Sequence, residues 1–261
     1  MSIAPNEPPH PLTGVRVLVT RPAHQADALA SLLAAAGAEA IRFPVIDIQD
    51  PVDNRALLAL IGRLHEFHWA IFISANAVAK AMNLIQARGA WPAQVRIACV
   101  GKGSAKELKH FGITEVLTPS GRFDSEALLA TPELNSVHGR RVVIFRGDGG
   151  RELLGNTLAA RGAIVEYGEC YRRVRPTADT APLLKRWARG GIDVVTVTSG
   201  DGLRNLFDLV GKLGQQWLIK TPTVVVSARM AQICRELGFK HEPLIADEAS
   251  DEAIVRAIRA W

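Results

Sequence analysis

Short apolar runs alternate along the whole chain with longer stretches whose apolar positions recur every three or four residues. The runs are rich in β-branched residues and lack strict polar alternation, which is typical of strands buried in a parallel sheet. The intervening stretches have the spacing of amphipathic helices. The predicted strands include VRVLVT, WAIFIS, VRIACV, TEVLTP, RVVIF, DVVTVT and TVVVS. The pattern predicts an α/β fold with parallel sheets covered by helices on both faces.

Glycines punctuate this pattern at two kinds of place. Gly37, Gly112, Gly162 and Gly238 follow the last apolar position of a helix, where a left-handed residue is favoured. The segments 101–104 and 199–202 follow strands and are interpreted as turns, with a helix over 203–213 after the second. We therefore expect loops at the ends of these two strands.

The N-terminal segment is repeated in the middle of the chain at a constant offset of 125 residues, which relates Arg21 to Arg146. Between 16–42 and 141–167 nine positions are identical without a gap. The strand WAIFIS aligns with VVTVTS at the same offset, and a third pair of segments aligns at an offset of 126 residues. The three units run in the order A, B, C and then A, B, C again. The sequence therefore predicts an internal duplication of a domain-sized unit.

Composition narrows the class of protein and the partners. Hydrophobic residues make up 48% and charged residues 22% of the 261 residues, which is ordinary for a globular chain, and no apolar run is long enough to span a membrane. Residues 1–12 are rich in proline and lack the apolar core of a signal peptide, so we expect a disordered tail and a cytoplasmic location. The three cysteines are widely spaced, which argues against a disulfide framework or a zinc site.

The net charge of +5 is compatible with an anionic partner. The Lys and Arg residues are scattered, without a basic run or interleaved aromatics, which argues against nucleic acid. We favour a small anionic ligand over an ordinary basic surface. His65 and His68 are three residues apart but have no third ligand near them in the sequence, so we interpret them as a solvated face.

Six motifs in order make the chain resemble the uroporphyrinogen-III synthase family, from about residue 12 to the end. They are GVRVLVTRP near the N-terminus, FISANAV after WAI, ACVGKGSA after VRI, GECYRR, VTSGDGL, and the GF ending of the third unit of the second copy. The resemblance implies two parallel-sheet α/β domains joined by a two-stranded β ladder. One domain is discontinuous, from residues 13–45 and 175–261; the other is 51–167, and the linker strands are 44–51 and 167–175. Each linker directly follows an A unit of the repeat.

The same resemblance implies the reaction, which is closure of the linear tetrapyrrole hydroxymethylbilane with loss of water and inversion of ring D. The hydroxymethyl group leaves to give an azafulvene cation, and attack at the substituted α-carbon of ring D gives a spiro intermediate that fragments and recloses. The unaided bilane closes without inversion, so the enzyme's task is mainly positioning. No metal, nucleotide or redox cofactor is implied.

The residue that matches the family's recurring cleft tyrosine is Tyr171, at the end of GECY. Its phenol is expected to donate a proton to the departing hydroxyl group. The alternative is a half-buried strand tyrosine that anchors the hinge between the domains.

Small polar residues at the carboxyl ends of strands are the candidates for binding the acetate and propionate carboxylates of the substrate. The candidates of this kind are Ser74, Asn76, Ser104, Ser199 and Gly200. Helix capping alone would equally require serine at such positions. The two interpretations are compatible, and the sequence leaves both open.

Three cations are further candidates for contacting these carboxylates. Arg21 and Arg146 follow equivalent strands of the two copies, and Lys102 lies in the GKGS segment. A guanidinium can hold a carboxylate through two parallel hydrogen bonds. Alternatively the arginines pair with local acids such as Asp27 or Glu152.

The main rival function is a non-catalytic, two-lobed cytoplasmic binding protein that closes over a small anion. Duplicated lobes and hinge strands fit both functions, and Tyr171 on the hinge favours the enzyme. The expected state is a monomer, because no spare apolar helix face stands out. The resemblance leaves room for a transient contact with the upstream deaminase that makes the bilane.

Overall fold

The computed structural model describes residues 10–261. In chain order its strands are β1 (Arg16–Val19), β2 (Glu39–Arg42), β3 (Asp47–Gln49), β4 (Trp69–Phe72), β5 (Arg96–Cys99), β6 (Arg141–Gly147), β7 (Ile164–Val174), β8 (Val194–Thr196), β9 (Thr223–Val225) and β10 (Leu244–Ile245). Its helices are α1 (Ala23–Ala35), α2 (Arg55–Gly62), α3 (Ala75–Gln86), α4 (Lys102–His110), α5 (Ser125–Leu129), α6 (Pro132–Asn135), α7 (Leu153–Ala160), α8 (Ala181–Ala188), α9 (Gly200–Leu209), α10 (Gly211–Leu218), α11 (Ala228–Glu236) and α12 (Asp251–Arg259). A 3-10 turn, Leu64–Glu66, follows α2.

The chain divides into two compact units. Unit 1 combines the N-terminal part up to Asp47 with the segment from Val174 to the C-terminus. Unit 2 is the continuous segment Ile48–Arg173. Each unit contains one five-stranded sheet.

The sheet of unit 1 has the order β10-β9-β8-β1-β2, and all four neighbouring pairs are parallel. Strand β1 lies between β8 and β2, and it aligns Val17 with Val194 on one side and with Ala40 on the other. One face of this sheet packs on α1 and α12, where Leu29, Leu33 and Ile254 are buried. The long apolar runs of the sequence therefore lie where a sheet covered on both faces requires them.

The sheet of unit 2 has the order β3-β7-β6-β4-β5, with parallel pairing between β7 and β6, β6 and β4, and β4 and β5. Side chains alternate between two cores along β6. Val143 and Phe145 join one core with Phe72, and Val142 and Ile144 join the other with Leu158. The prediction of an α/β fold with parallel sheets is confirmed.

The predicted repeat units follow the same order across the two sheets, in strands β2-β1-β8-β9 of unit 1 and β7-β6-β4-β5 of unit 2. In both, the two strands of an A unit lie beside the B strand and then the C strand. In the predicted repeat, the A strands in unit 1 belong to the first copy, and the B and C strands belong to the second copy. In unit 2 the origins are reversed.

Left-handed glycines end the helices where the sequence predicts them. The φ angle is +89° at Gly37, +80° at Gly112, +83° at Gly162 and +83° at Gly238. This conformation is costly for any residue with a Cβ atom. These four predicted helix ends are confirmed.

The predicted N-terminal tail extends too far along the chain. Residues 1–9 lie outside the described residues, but Leu12 is only 3% exposed and belongs to the core of unit 1. Its amide donates to the carbonyl oxygen of Ala36 at 2.9 Å. The prediction of a tail over 1–12 is therefore wrong at Leu12, because its apolar side chain is buried beside α1.

Two predicted turns are helical. Helix α4 begins at Lys102, directly after the extended residue Gly101, and α9 begins at Gly200, directly after the extended Ser199. Each strand thus enters its helix within a few residues, and the glycines occupy the first helical turn. The predicted helix over 203–213 is divided at Gly211, whose φ is +61°, and α10 follows. The predicted strand TEVLTP is reduced to a single bridge between Ala98 and Leu117.

The described part of the chain contains no helix that is long and apolar enough to cross a membrane. Within residues 10–261 no three His, Cys, Asp or Glu side chains cluster in a way that could hold a metal ion. Cys99, Cys170 and Cys234 are free and buried. Burial raises the pKa of these thiols to about 11, 12 and 11 respectively, so they are protonated and weakly nucleophilic at neutral pH.

Asp193 connects the start of β8 to the start of β1. Its carboxylate accepts hydrogen bonds from the backbone amide of Arg16 at 2.8 Å and from the guanidinium at 2.8 and 2.7 Å. Hydrogen bonding from the Arg16 side chain is the main reason that the pKa of Asp193 is lowered. The ionised form is therefore favoured in the folded protein.

We expect Asp193→Asn to lower the melting temperature at pH 7, and we expect this difference to shrink as the pH falls below about 4. The sign follows because the unfolded carboxyl group takes up its proton at a higher pH than the folded one. The stabilisation is therefore complete above the unfolded pKa and is lost as pH falls through the folded pKa. Asp27→Asn, which removes an exposed ion pair with Arg42, is the control and should change little. An equal loss for Asp193→Asn at pH 7 and pH 3 would contradict this assignment.

Candidate active site

The carboxyl ends of parallel strands are the edge at which open α/β sheets bind ligands. In unit 2 this edge lies where β4 leads into α3, where β5 leads into α4, and where β6 leads into a glycine-containing loop before α7. Strand β7 extends beyond its neighbour β6 at this edge. The predicted site residues of unit 2 follow or lie near the carboxyl ends of these strands.

Tyr171 lies in β7 and is only 1% exposed. A register shift between β6 and β7 after Arg146 pairs Arg146 with Glu169 and Gly147 with Tyr171. Because of this bulge, Cys170 and Tyr171 both join the core that contains Phe145, although they are adjacent in the strand. The ring packs on Gly147, where a Cβ atom would lie 2.7 Å from Tyr171 Cε2. The phenol is thus held in one position by its surroundings.

The Tyr171 hydroxyl group lies 3.0 Å from Ser74 Oγ. Ser74 is the N-cap of α3, and its Oγ accepts a hydrogen bond from the Ala77 amide at 3.1 Å. The capping interpretation of Ser74 is confirmed. Asn76 is the second residue of the same helix and is half-buried. Ser74 and Tyr171 are thus two predicted site residues that the structure brings into direct contact.

Arg173 is a residue of this cluster that the sequence prediction missed. Its Nη2 donates to the Tyr171 hydroxyl oxygen at 3.1 Å, and its guanidinium lies 5.6 Å from the centre of the Tyr171 ring. The Arg173 amide donates to Asp148 Oδ1 at 3.2 Å, which attaches this end of β7 to the loop after β6. The spacing in YRR was a usable signal, since residues two apart in a strand point to the same side.

Arg146 is a buried cation at the end of β6, with 5% exposure. Its Nε donates to the Gly147 carbonyl oxygen at 3.2 Å, and its guanidinium lies 4.6 Å from the centre of the Tyr167 ring. The nearest carboxylate is that of Glu169, at 4.0 Å. Neither terminal nitrogen has a hydrogen-bond acceptor among residues 10–261. By strand alternation Arg146 projects from the face opposite to Phe145, so it is not brought together with Tyr171.

Lys102 and Ser104 occupy the first turn of α4 and have different environments. Lys102 is exposed, and its Nζ lies 5.0 Å from the centre of the Phe123 ring. Ser104 is only 3% exposed, and the N-cap of this helix is Gly101. The capping interpretation is therefore wrong for Ser104, because the helix begins two residues earlier and its N-cap is Gly101.

The corresponding edge of unit 1 carries Arg21, Ser199 and Gly200. Arg21 follows β1, its side chain is 17% exposed, and its guanidinium forms an ion pair with Asp251 at the start of α12. Ser199 caps α9 by accepting a hydrogen bond from the Gly202 amide at 3.0 Å, which confirms its capping interpretation. Gly200 packs on Ile233, and a Cβ atom there would lie 2.9 Å from Ile233 Cδ1.

The local acids that the sequence proposed as partners of the two arginines are not their partners. Asp27 pairs with Arg42 at 2.8 Å. Arg21 instead pairs with Asp251, which is distant in sequence. Arg146 lies nearest to Glu169 and not to Glu152. Pairing within a parallel sheet joins segments that are far apart in the chain, so proximity in sequence did not predict the ion-pair partners of these arginines.

Comparison with known proteins agrees with this architecture. The family described as uroporphyrinogen-III synthase HemD matches residues 27–256. A uroporphyrinogen-III synthase of Salmonella typhimurium is 38% identical over 93% of this chain and 99% of its own length. That of Escherichia coli is 36% identical with the same coverage. A crystal structure of the Thermus thermophilus synthase, a mutant, covers 95% of this chain and all of its own with a TM-score of 0.63 at 22% identity, which shows a shared fold.

Proposed function

The chain belongs to the uroporphyrinogen-III synthase family, and from this premise we propose that it cyclises hydroxymethylbilane to uroporphyrinogen III with loss of water and inversion of ring D. The observation that carries the proposal for the site is the hydrogen-bonded pair of Tyr171 and Ser74, at 3.0 Å, at the carboxyl end of the unit 2 sheet. The alternative of a non-catalytic binding protein is not favoured, because the relatives that cover the chain are named as synthases.

The first chemical step needs a proton, because the hydroxymethyl group leaves as water. We assign the source of this proton to the Tyr171 phenol, which is fixed by Gly147, Ser74 and Arg173. The later steps need the bilane to be folded so that the substituted α-carbon of ring D, and not the free one, meets the azafulvene. This folding requires the protein to hold both ends of the substrate, which it can do through contacts with the substrate's carboxylate side chains.

Two kinds of group supply the carboxylate contacts in this proposal. Capped helix N-termini at Ser74 with Asn76 and at Ser199 with Gly200 offer backbone N–H groups that have no acceptor within the helix. Cationic side chains offer charge-assisted hydrogen bonds, from Lys102 and Arg146 in unit 2 and from Arg21 in unit 1. Arg21 is the weaker candidate of the two arginines, because Asp251 already occupies part of its guanidinium. Ser104 is left out, since its side chain is buried.

The internal duplication and the domain arrangement belong to the same proposal. The order of repeat units is identical in the two sheets, which supports descent of both from one ancestral unit. The A units are exchanged between the copies, so the chain crosses between units where Asp47 meets Ile48 and where Arg173 meets Val174. Strands β3 and β7 lie at these crossings and are neighbours in one sheet. We assign them as the two strands of the proposed ladder. We also propose that the protein is a cytoplasmic monomer and that it contacts the upstream deaminase only transiently.

The function is tested by a coupled assay. Hydroxymethylbilane is generated with its deaminase, this protein is added, and the products are oxidised and separated as porphyrin isomers. We expect type III to exceed type I in proportion to the amount of protein. The spontaneous reaction without the protein supplies the type I baseline. Type I alone from a folded sample would overturn the proposed function.

A further inference from the structure

The hydrogen bonds around Tyr171 determine which way its proton points. The Tyr171 oxygen accepts a hydrogen bond from Arg173 Nη2, since a guanidinium can only donate. The contact with Ser74 Oγ can run in either direction. If Ser74 donated to Tyr171, the phenolic hydrogen would need another acceptor in the protein, because Tyr171 is only 1% exposed. A buried donor without an acceptor is costly, so the favoured network has Tyr171 donating to Ser74.

The same hydrogen bonds then determine the orientation of the Ser74 hydroxyl group. Its oxygen accepts from the Ala77 amide at 3.1 Å and from the Tyr171 phenol at 3.0 Å. A hydroxyl oxygen has two acceptor positions, and both are then filled. The Ser74 hydrogen is left to point away from both partners. Ser74 is half-buried, whereas Tyr171 is not accessible, so Ser74 is the member of the pair that can reach a substrate.

We propose that Ser74 is the residue that delivers the proton to the departing hydroxyl group, and that Tyr171 and Arg173 are positioning residues that act through it. This inference rests on the proposed function and concerns the same site. It reverses the order of the pair that the sequence indicated, in which Tyr171 itself meets the substrate. A continuous chain of hydrogen bonds thereby links Ala77, Ser74, Tyr171 and Arg173, near the ends of β4 and β7.

The proton balance of this step is complete. As the C–O bond of the substrate breaks, its electron pair goes to oxygen, which takes the Ser74 hydroxyl proton and leaves as water. The Tyr171 phenolic proton moves to Ser74 Oγ, and the phenolate that remains faces the Arg173 guanidinium. When ring D recloses, its terminal α-carbon loses a proton, and this proton returns along the same chain to Tyr171. The net change is the loss of one water molecule.

The test compares single and double variants in the isomer assay. Ser74→Gly removes the hydroxyl group, and glycine is tolerated at an N-cap. We expect it to lower kcat for type III by about a hundredfold with little change in KM, and Tyr171→Phe to lower kcat by about tenfold. Because Tyr171 acts only through Ser74, the double variant should match Ser74→Gly alone within about twofold. Ser74→Thr, which keeps a hydroxyl group and a cap, should restore most of the activity.

Ser250→Ala is the control for loss of a helix cap, since Ser250 caps α12 through the Ala253 amide at 3.2 Å. It should lower stability without changing the isomer ratio. The proposal is overturned if Tyr171→Phe loses more activity than Ser74→Gly, if the two losses multiply, or if Ser74→Thr fails to restore turnover while remaining folded. Type III from the wild-type protein establishes the function separately, so a failure of the relay is distinguishable from a failure of the function.

Discussion

Gly168→Ala is expected to lower the free energy of unfolding by about 1–3 kcal/mol. Gly168 is buried in β7, and a Cβ atom there would lie 2.7 Å from Phe145 Cδ1 and 2.9 Å from Cε1. The Phe145 ring cannot retreat freely, because it is stacked on Phe72 with ring centres 4.9 Å apart. The extra methyl group therefore has to displace a packed aromatic pair in the centre of unit 2. Urea unfolding followed by circular dichroism measures this loss.

Gly62→Ala is the matched control for this change. Gly62 ends α2, has no atom within 4 Å of the added Cβ position, and does not have a left-handed conformation. Alanine at this position should be neutral or slightly stabilising, since it reduces the freedom of the unfolded chain. Equal effects of the two substitutions would show that packing on Phe145 does not limit position 168.

Arg146→Met is expected to reduce kcat/KM for type III formation by about 10–100-fold, which corresponds to the loss of one charge-assisted hydrogen-bonding group. Arg146 is only 5% exposed, and its terminal nitrogens lack an acceptor among the described residues, so a substrate carboxylate would complete its hydrogen bonds. Methionine fills a similar volume without charge, and replacing a buried charge by an apolar residue is often tolerated by the fold. Steady-state kinetics with isomer separation measures the effect.

Two further variants separate charge from position. Arg146→Lys keeps the charge but cannot form the two parallel hydrogen bonds of a guanidinium, and it should recover only part of the activity. Arg151→Met removes an exposed arginine of the same loop, which pairs with Glu126 at 3.5 Å, and should leave kcat/KM nearly unchanged. Near-normal kinetics of a folded Arg146→Met protein would remove Arg146 from the site.

Local patterns were enough to predict much of the fold. Apolar runs located the strands, glycines located the helix ends at Gly37 and Gly162, and serine after a strand located the N-caps at Ser74 and Ser199. These features depend on residues within one turn or one strand. Interactions over such short distances can be recognised without knowledge of the tertiary structure.

The remaining features depend on contacts between distant segments. The register shift beside Arg146 places Tyr171 in the core, and nothing in the spacing of β7 indicates it. Arg21 meets Asp251 because β1 lies near the start of α12 in unit 1. Ser104 was misplaced by two residues at a helix start, which is enough to turn a side chain from the surface to the core. The hydrogen-bond chain from Arg173 to Ser74 likewise joins β7 to the end of β4.

The most direct test of the account is the fate of one carbon–carbon bond in ring D. The substrate is hydroxymethylbilane labelled with ¹³C at the bridge carbon between rings C and D and at the ring D α-carbon bonded to it. Spiro attack followed by fragmentation breaks this bond, so with this protein we expect a product whose two labels no longer share a one-bond ¹³C–¹³C coupling. A folded protein that gives a product with this coupling intact would contradict inversion of ring D and with it the assignment of the site.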